Sequence, residues 1–192
     1  NLRNRVYCGK FSIDEYRWDK SKKELTVQQI LVKSSNIGTI EIVKKNGLEN
    51  QQNFLENLEI FDMPRLEIPE LSKSNKNRWG KCNTLTSAYG HGVSTTLLQL
   101  TRAYGAIVNG GVLIDSSILL NSKLDKKRVI SKETSAIMNQ MLRANVDKKN
   151  KTSGSGRKAD ISGYDVLGKT GTAQKPSKKE KGYSKEILNV FA

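Results

Sequence analysis

The pattern of apolar and polar positions predicts two consecutive helices early in the chain. Thr26-Val27-Gln28-Gln29 matches a capping box, in which a threonine hydroxyl and a glutamine side chain satisfy the first free N–H groups of a helix. Ser34-Ser35-Asn36 interrupts that helix with three residues that favour caps and turns. A helical period then resumes and runs to the stop signal Asn46-Gly47. The tripeptide is therefore predicted to lie at a helix junction, where polar side chains can project.

Three further helices are expected downstream. One lies around residues 52–60, after which Pro64 and Pro69 impose an irregular connection as far as Trp79. Another follows caps offered by Ser94 and Thr96 and ends at residues 109–111, and the last follows residues 129–131. The apolar faces of these two helices are predicted to be Leu97, Leu100, Tyr104 and Ile107, and Ile137, Met138, Met141 and Leu142.

The period changes towards the end of the sequence. Residues 164–173 are typical of a strand containing two glycines, and the basic segment 175–185 links them to a closing strand at Ile187. Helices followed by an antiparallel hairpin indicate an α+β fold. The first residue is Asn1 rather than Met, and the last strand stops without a turn or polar cap, so we expect both ends to be cuts through a larger domain.

Composition narrows the possible functions. At 192 residues with 36% hydrophobic and 27% charged residues, the chain is expected to be one globular domain or a large piece of one. The net charge of +14 favours a solvated basic surface and leaves a role at an anionic polymer or lipid surface open. The four phenylalanines and two tryptophans are not interleaved with the basic runs, so we expect no nucleic-acid partner.

Metal chemistry and membrane spans are not indicated. Cys8 and Cys82 form no C-x-x-C motif and His91 is the single histidine, so a zinc site is not expected. The two cysteines could be free thiols or a bridge. No apolar stretch approaches the ~18 residues of a membrane span, and no signal peptide opens the chain.

The predicted strand carries Lys169-Thr170-Gly171-Thr172, a combination suited to binding a peptide carboxylate. Lysine brings a positive charge, the threonines bring hydroxyl donors, and glycine lets a ligand backbone lie close to the strand edge. Without further sequence context, an ordinary surface strand would explain these four residues equally well.

Ser34-Ser35-Asn36 and Lys169-Thr170-Gly171 occur in the order of two signature motifs of penicillin-binding enzymes, S-x-N and K-T-G. The sequence between the two motifs also resembles that of these enzymes, at residues 89–100, 103–104, 109–111 and 127–131. The chain resembles the C-terminal part of class B penicillin-binding proteins, whose division-type members carry Ser-Ser-Asn more often. Two departures are Leu97, where the family commonly has proline, and His91, where glutamine is usual and which we interpret as a loop residue.

One family motif, S-x-x-K with its nucleophilic serine, is missing from the expected place. The only such spacing is Ser155-Gly156-Arg157-Lys158, which follows Ser34 and lies in a polar loop. A nucleophilic serine needs a fixed base and usually the positive end of a helix, so we interpret this match as coincidence. The resemblance implies an incomplete transpeptidase or serine β-lactamase-like fold over residues 1–192, without the upstream S-x-x-K segment, the final strand and the final helix.

The resemblance also implies a function and residue roles. The parent protein would be a peptidoglycan D,D-transpeptidase that needs no metal or organic cofactor, with Ser34, Asn36 and Lys169 in the catalytic network. Ser35, Thr170, Gly171 and Thr172 would bind the stem peptide or a β-lactam antibiotic. The protein would be anchored at the periplasmic face of the inner membrane with cell-division proteins. A β-lactam sensor, a β-lactamase relative and a basic anionic-polymer-binding module are the alternatives.

Overall fold

The structure, a computed structural model, describes residues 6–9, 11–15, 24–71, 79–150, 154–176 and 183–191. The helices are α1 (Val27–Lys33), α2 (Asn36–Asn46), α3 (Leu48–Asn57), α4 (Lys81–Ser87), α5 (Leu97–Val108) and α6 (Lys132–Val146), and Arg157–Ala159 form a short 3-10 helix. The strands are β1 (Val6–Cys8), β2 (Phe11–Ile13), β3 (Val112–Ile114), β4 (Lys126–Arg128), β5 (Thr170–Pro176) and β6 (Tyr183–Phe191). The described strands pair as three antiparallel hairpins, β1–β2, β3–β4 and β5–β6.

The chain divides into two compact units, which we describe separately. The motif unit comprises the described parts of residues 1–42, 86–91 and 141–192. The core unit comprises the described parts of residues 43–85 and 92–140. All the residues singled out by the two sequence motifs belong to the motif unit.

The predicted helix junction in the motif unit is confirmed. Thr26 caps α1, its hydroxyl accepting a hydrogen bond from the Gln29 N–H while the Gln29 side chain accepts one from the Thr26 N–H. The helix ends at Ser34, which adopts a left-handed backbone with φ of 54°. The next helix, α2, begins at Asn36. The two helices are therefore separated by Ser34 and Ser35 alone, and Asn36 is the first residue of α2.

The predicted hairpin of β5 and β6 is also confirmed, but its first strand was placed too early. β5 begins at Thr170 and extends to Pro176, with Thr172 opposite Asn189 in the register. The preceding backbone is held by side chains instead of a strand partner, because Arg143 Nη1 donates to the Val166 carbonyl at 3.0 Å and Asn145 Nδ2 to the Gly168 carbonyl at 2.8 Å. Of the predicted basic link, residues 177–182 lie outside the described residues.

An apolar cluster forms the centre of the core unit. Its buried members are Leu58, Ile60, Ala103, Ala106 and Leu113, with Leu55, Phe61, Val93 and Val129 packed against them. Burying a leucine or isoleucine side chain is worth about 1.5–3 kcal/mol, so this cluster is a main source of stability in the unit.

The buried face of α5 differs from the predicted one. Leu97 is 79% exposed, whereas Gln99, Ala103 and Ala106 are buried. The capping box explains the shift, because Thr96 and Gln99 bind each other at the helix start and the Gln99 amide also donates to the Glu59 carbonyl at 3.3 Å. The polar side chain of Gln99 thus lies on the packed face of α5.

Arg102, also on α5, lies at the centre of a polar cluster in the core unit. Its side chain is 6% exposed and forms ion pairs with Glu59 at 3.3 Å and Asp115 at 2.6 Å. The same guanidinium donates from Nε to the Ile114 carbonyl at 3.1 Å. This side chain joins α5 to the end of β3 and to the turn after α3.

Several short elements were not predicted. The helix α4 and the strands β1 to β4 have seven or fewer residues each, too few for a clear apolar period. β4 is Lys-Lys-Arg with every side chain exposed, so no alternation marks it. The third helix occupies Leu48–Asn57 instead of residues 52–60. On α6 Leu142 is buried as predicted, whereas Ile137 is exposed.

The structure answers the question of the cysteine state, which the sequence left open. Cys8 and Cys82 are both disulfide-bonded, so neither is a free thiol. Within the described residues, no helix has both the length and the apolar character needed to cross a membrane.

Candidate active site

Ser34 and Lys169, 135 residues apart in the sequence, meet in the motif unit. The Lys169 ammonium donates a hydrogen bond to Ser34 Oγ and a second, at 2.9 Å, to the Thr170 carbonyl. Burial lowers the pKa of Lys169 below its ordinary value of 10.5. A partly desolvated ammonium beside a hydroxyl can orient that hydroxyl and stabilise negative charge near it.

The backbone around Ser34 explains how its hydroxyl reaches Lys169. The Ser34 N–H donates to the Leu31 carbonyl at 3.1 Å, and the Ser35 N–H donates to the Ile30 carbonyl at 3.0 Å. These bonds close α1 and accompany the left-handed conformation at Ser34. The chain turns sharply at Ser34 before α2 begins, so this hydroxyl lies at the apex of the junction.

Ser35, which is expected to bind substrate, lies buried at the junction between α1 and α2. Ser35 is 4% exposed, and its hydroxyl donates to Glu15 Oε1 at 2.5 Å while accepting from the Gly38 N–H at 2.9 Å. A buried hydroxyl with both a donor and an acceptor partner is suited to fixing the turn. The substrate-binding role expected of Ser35 stays a prediction, and these contacts add that its hydroxyl fixes the turn.

Asn36 is the first residue of α2 and is half-buried. Its side-chain Nδ2 donates to the backbone carbonyl of Asp14 at 3.2 Å. This bond sets the plane of the carboxamide. The structure thus places Asn36 at the same junction as Ser34, although on a separate element from the K-T-G strand.

The second motif lies at the start of β5. Gly171 and Thr172 are exposed, whereas Thr170 is half-buried with its hydroxyl hydrogen-bonded to Ser155 Oγ. Among the strands that the structure describes, β5 has a single neighbour, β6. An exposed strand edge of this kind can accept an extended peptide.

Sequence reasoning missed a buried amide that supports this strand. Asn145 on α6 is fully buried, and besides donating to the Gly168 carbonyl it accepts a hydrogen bond from Ser155 at 3.4 Å. Gly154 is needed beside it, because a Cβ there would lie 2.0 Å from the Asn145 carbonyl oxygen. Asn145 is a polar residue among apolar residues at helical spacing, and this pattern could have predicted its burial from the sequence. The amide fixes the backbone just before Lys169.

An ion pair supports the same region. Arg143 on α6 pairs with Asp160 at 2.9 Å. Hydrogen bonds from the Lys148 N–H and from Arg143 lower the pKa of Asp160. Because Arg143 also binds the Val166 carbonyl, it connects the loop after the 3-10 helix to the segment that leads into β5.

The Ser155-to-Lys158 spacing and His91 have other local roles. Ser155 lies in a turn before a 3-10 helix of three residues, and its hydroxyl is engaged by Asn145 and Thr170. His91 lies in a turn after α4 with its ring 5.2 Å from that of Tyr89, and burial lowers its pKa. Over the part of the chain that the structure describes, no group of three His, Cys, Asp or Glu side chains could hold a metal ion.

Comparison with known protein sequences places this chain in a family. The model of the penicillin-binding protein transpeptidase domain matches residues 6–192. A probable peptidoglycan D,D-transpeptidase FtsI of Caulobacter vibrioides is 30% identical over 178 residues, covering 90% of this chain and 30% of that protein. The penicillin-binding protein PbpB of Mycobacterium tuberculosis is 31% identical over 173 residues, covering 82% of this chain and 26% of that protein. The chain thus spans less than a third of these relatives.

Solved structures agree with the sequence comparisons. Apo penicillin-binding protein 3 of Mycobacterium tuberculosis is 28% identical, with a TM-score of 0.86, covering 97% of this chain and 46% of that one. The same protein complexed with ampicillin gives 30% identity and a TM-score of 0.79, covering 86% of this chain and 40% of that one. The expected α+β transpeptidase fold is confirmed. The chain belongs to the penicillin-binding protein transpeptidase family.

Proposed function

We propose that the protein carrying this chain is a peptidoglycan D,D-transpeptidase that forms cell-wall cross-links during division. The observation that carries the proposal is the Lys169–Ser34 hydrogen bond, which joins the two motifs next to an exposed strand edge. The names of relatives such as FtsI and PbpB support the same activity. The nucleophilic serine would be supplied from outside these 192 residues. The single S-x-x-K spacing within them begins at Ser155, whose hydroxyl is hydrogen-bonded to that of Thr170.

In the proposed reaction, the external serine hydroxyl attacks the carbonyl carbon between two terminal D-alanines of a stem peptide. The C–N bond breaks, the serine proton passes to the leaving D-alanine amine, and an ester joins the peptide to the enzyme. An amine of a neighbouring peptidoglycan strand then attacks the ester carbonyl. The ester C–O bond breaks, the serine oxygen takes up the proton that the amine loses, and a new amide forms. Ser34 and Lys169 would belong to the proton path in both half-reactions.

The remaining residues would orient the donor peptide. Asn36 would bind its amide, and the Thr170 and Thr172 hydroxyls would bind its terminal carboxylate along the edge of β5 at Gly171. The Thr172 backbone N–H would be one oxyanion donor, and removal of such a donor costs about 10²–10³ in rate. These roles place both carboxylate donors on one strand, as expected for an extended ligand.

β-Lactams would acylate the same serine. Mycobacterium tuberculosis penicillin-binding protein 3, similar in fold to this chain, has been solved with ampicillin and with aztreonam. We further propose that the protein is membrane-anchored, acts on the periplasmic side and works with division proteins, as the resemblance of Ser34-Ser35-Asn36 to the motif of division-type enzymes implies. The N- and C-terminal parts of the complete domain would lie outside residues 1–192.

The test is covalent labelling of the complete protein by a fluorescent penicillin. We expect stoichiometric labelling of the complete protein, no labelling of the 192-residue chain alone, and labelling of the complete Ser155→Ala variant that still reaches one adduct per molecule. Mass spectrometry that located the adduct on Ser34 or Ser155 would contradict the proposal. Rapid turnover of the antibiotic would favour a β-lactamase. Stable labelling without cross-linking of stem peptides would favour a sensor, and salt-dependent retention on an anionic polymer without labelling would favour a basic binding module.

A further inference from the structure

Glu15, two residues after β2, lies outside both motifs but contacts two residues of one motif and the residue that follows it. Its Oε1 accepts hydrogen bonds from Ser35 Oγ at 2.5 Å and from the Ile37 N–H at 2.9 Å. Its Oε2 accepts one from the Asn36 N–H at 3.1 Å. A single carboxylate thus binds three consecutive residues of the junction between α1 and α2.

The position of Glu15 has a physical reason. The first N–H groups of an α-helix have no partner within the helix and carry a partial positive charge, and α2 is 11 residues long. A carboxylate satisfies two of these groups and also the buried Ser35 hydroxyl. The neighbouring Asp14 carbonyl accepts from the Asn36 side chain, so consecutive residues of one segment hold both the backbone and the carboxamide of Asn36.

The junction needs such support because Ser34 is in a left-handed conformation. A non-glycine residue in this region is strained by about 1–2 kcal/mol and persists where its surroundings determine it. From the α1 side, the turn is held by the bonds to the Ile30 and Leu31 carbonyls. From the α2 side, Glu15 supplies the corresponding bonds. The hydroxyl that meets Lys169 lies between these two sets.

We propose that Glu15 is a positioning residue for the transpeptidase reaction. It holds the start of α2 so that Ser34 Oγ faces Lys169 and the Asn36 carboxamide is oriented for substrate. Glu15 acts through these two residues and contacts neither substrate nor nucleophile. This inference rests on the proposed function, and it adds a residue upstream of both motifs to the residues that govern the rate.

The experiment uses the complete protein with Glu15→Gln, Glu15→Asp and Ser35→Ala. Glutamine keeps the size of the side chain but turns an amide donor towards N–H and O–H donors. We expect Glu15→Gln to lower the acylation rate constant by about tenfold or more, since hydrogen bonds to charged groups have energies in that range. Noncovalent affinity for the β-lactam should change much less. Glu15→Asp should recover part of the loss, and Ser35→Ala should show a severalfold decrease.

A double variant separates positioning from general stability. If Glu15 acts through Ser34 and Asn36, adding Glu15→Gln to a variant that already carries Ser34→Ala and Asn36→Ala should lower acylation little further, whereas a general folding defect would lower it again. The matched control is Glu24→Gln, the same change at an exposed residue of the motif unit, which should acylate at the wild-type rate.

Each result supports or overturns the inference. Wild-type acylation rates in both Glu15→Asp and Ser35→Ala would overturn it even if Glu15→Gln failed to fold. A folded Glu15→Gln with a lower unfolding midpoint but an unchanged acylation rate would overturn it in favour of a structural role. A complete wild-type protein that penicillin does not label would overturn the proposed function and the positioning role together, whereas a labelled wild type with an unaffected Glu15→Gln overturns the positioning role alone.

Discussion

In the core unit the residues around α5 are held by an apolar cluster and by the buried Arg102, whereas in the motif unit the residues next to the proposed site are held by hydrogen bonds. Glu15, Asn145 and Ser155 bind the Ser34 junction and the start of β5 through carboxylate, amide and hydroxyl groups. Apolar packing tolerates small displacements, but hydrogen bonds depend strongly on distance and angle. The difference suggests that substitutions in the core unit change stability, while those in the motif unit change rate.

The largest expected effect is on rate, in the motif unit. Lys169→Ala in the complete protein should lower the second-order acylation rate by roughly a hundredfold to a thousandfold, because it removes two hydrogen bonds from a charged donor. The free energy of unfolding should change little, since burial of the ammonium is itself unfavourable. Stopped-flow acylation together with urea unfolding would measure both. Equal losses in rate and stability would break the comparison between the units.

The next largest effect is on stability, in the core unit. Arg102→Met should lower the free energy of unfolding by about 2–4 kcal/mol, because it leaves Glu59 and Asp115 without their buried partner. Acylation by the molecules that remain folded should stay at the wild-type rate. Urea unfolding and acylation of the same preparation would test this.

A control for Arg102 is available on the same carboxylate. Arg65 pairs with Asp115 at 3.3 Å, but its side chain is 67% exposed. Arg65→Met should therefore cost no more than about 1 kcal/mol. A cost for Arg65→Met equal to that of Arg102→Met would show that burial of the guanidinium is not what matters.

The smallest expected effect concerns pH. The proposed network needs Lys169 protonated, and burial lowers the pKa of this residue from its ordinary value of 10.5. As the pH is raised, the acylation rate should therefore start to fall before pH 10.5 is reached. The sign for stability is the opposite one: between the lowered pKa and 10.5 the unfolded chain binds more protons, so the free energy of unfolding rises with pH. Acylation rates measured from neutral pH upward would locate the fall.

Lys169→Arg serves as the control for this pH dependence. Arginine keeps its charge throughout the range, so the fall in rate attributed to Lys169 should disappear in this variant even if the overall rate is lower. A fall at the same pH in both proteins would assign the titration to another group.

The sequence predicted the elements that depend on local chemistry. The capping box at Thr26, the cap at Thr96 and the helix junction at Ser34 were predicted because caps and turns depend on neighbouring residues. The family resemblance supplied the meeting of Ser34 with Lys169, which no local pattern could show.

The misses have a common physical cause. Glu15, Asn145 and Arg102 are polar residues whose importance depends on partners distant in the sequence, and polarity alone favours placing them in solvent. The start of β5 was misplaced because side chains of α6 bind the preceding carbonyls, an effect of tertiary structure. The buried face of α5 shifted because a cap residue, Gln99, packs inward.

The left-handed backbone at Ser34 also restricts how this position can evolve. A hydroxyl could come from serine or threonine, but a β-branched side chain is strongly disfavoured at φ of 54°. Glycine would relieve the strain and lose the hydroxyl. Serine is therefore the residue that satisfies the backbone and the proposed chemistry at once. Although serine-to-threonine exchange is mild at most surface positions, here the route between the two hydroxyl-bearing residues is closed by conformation.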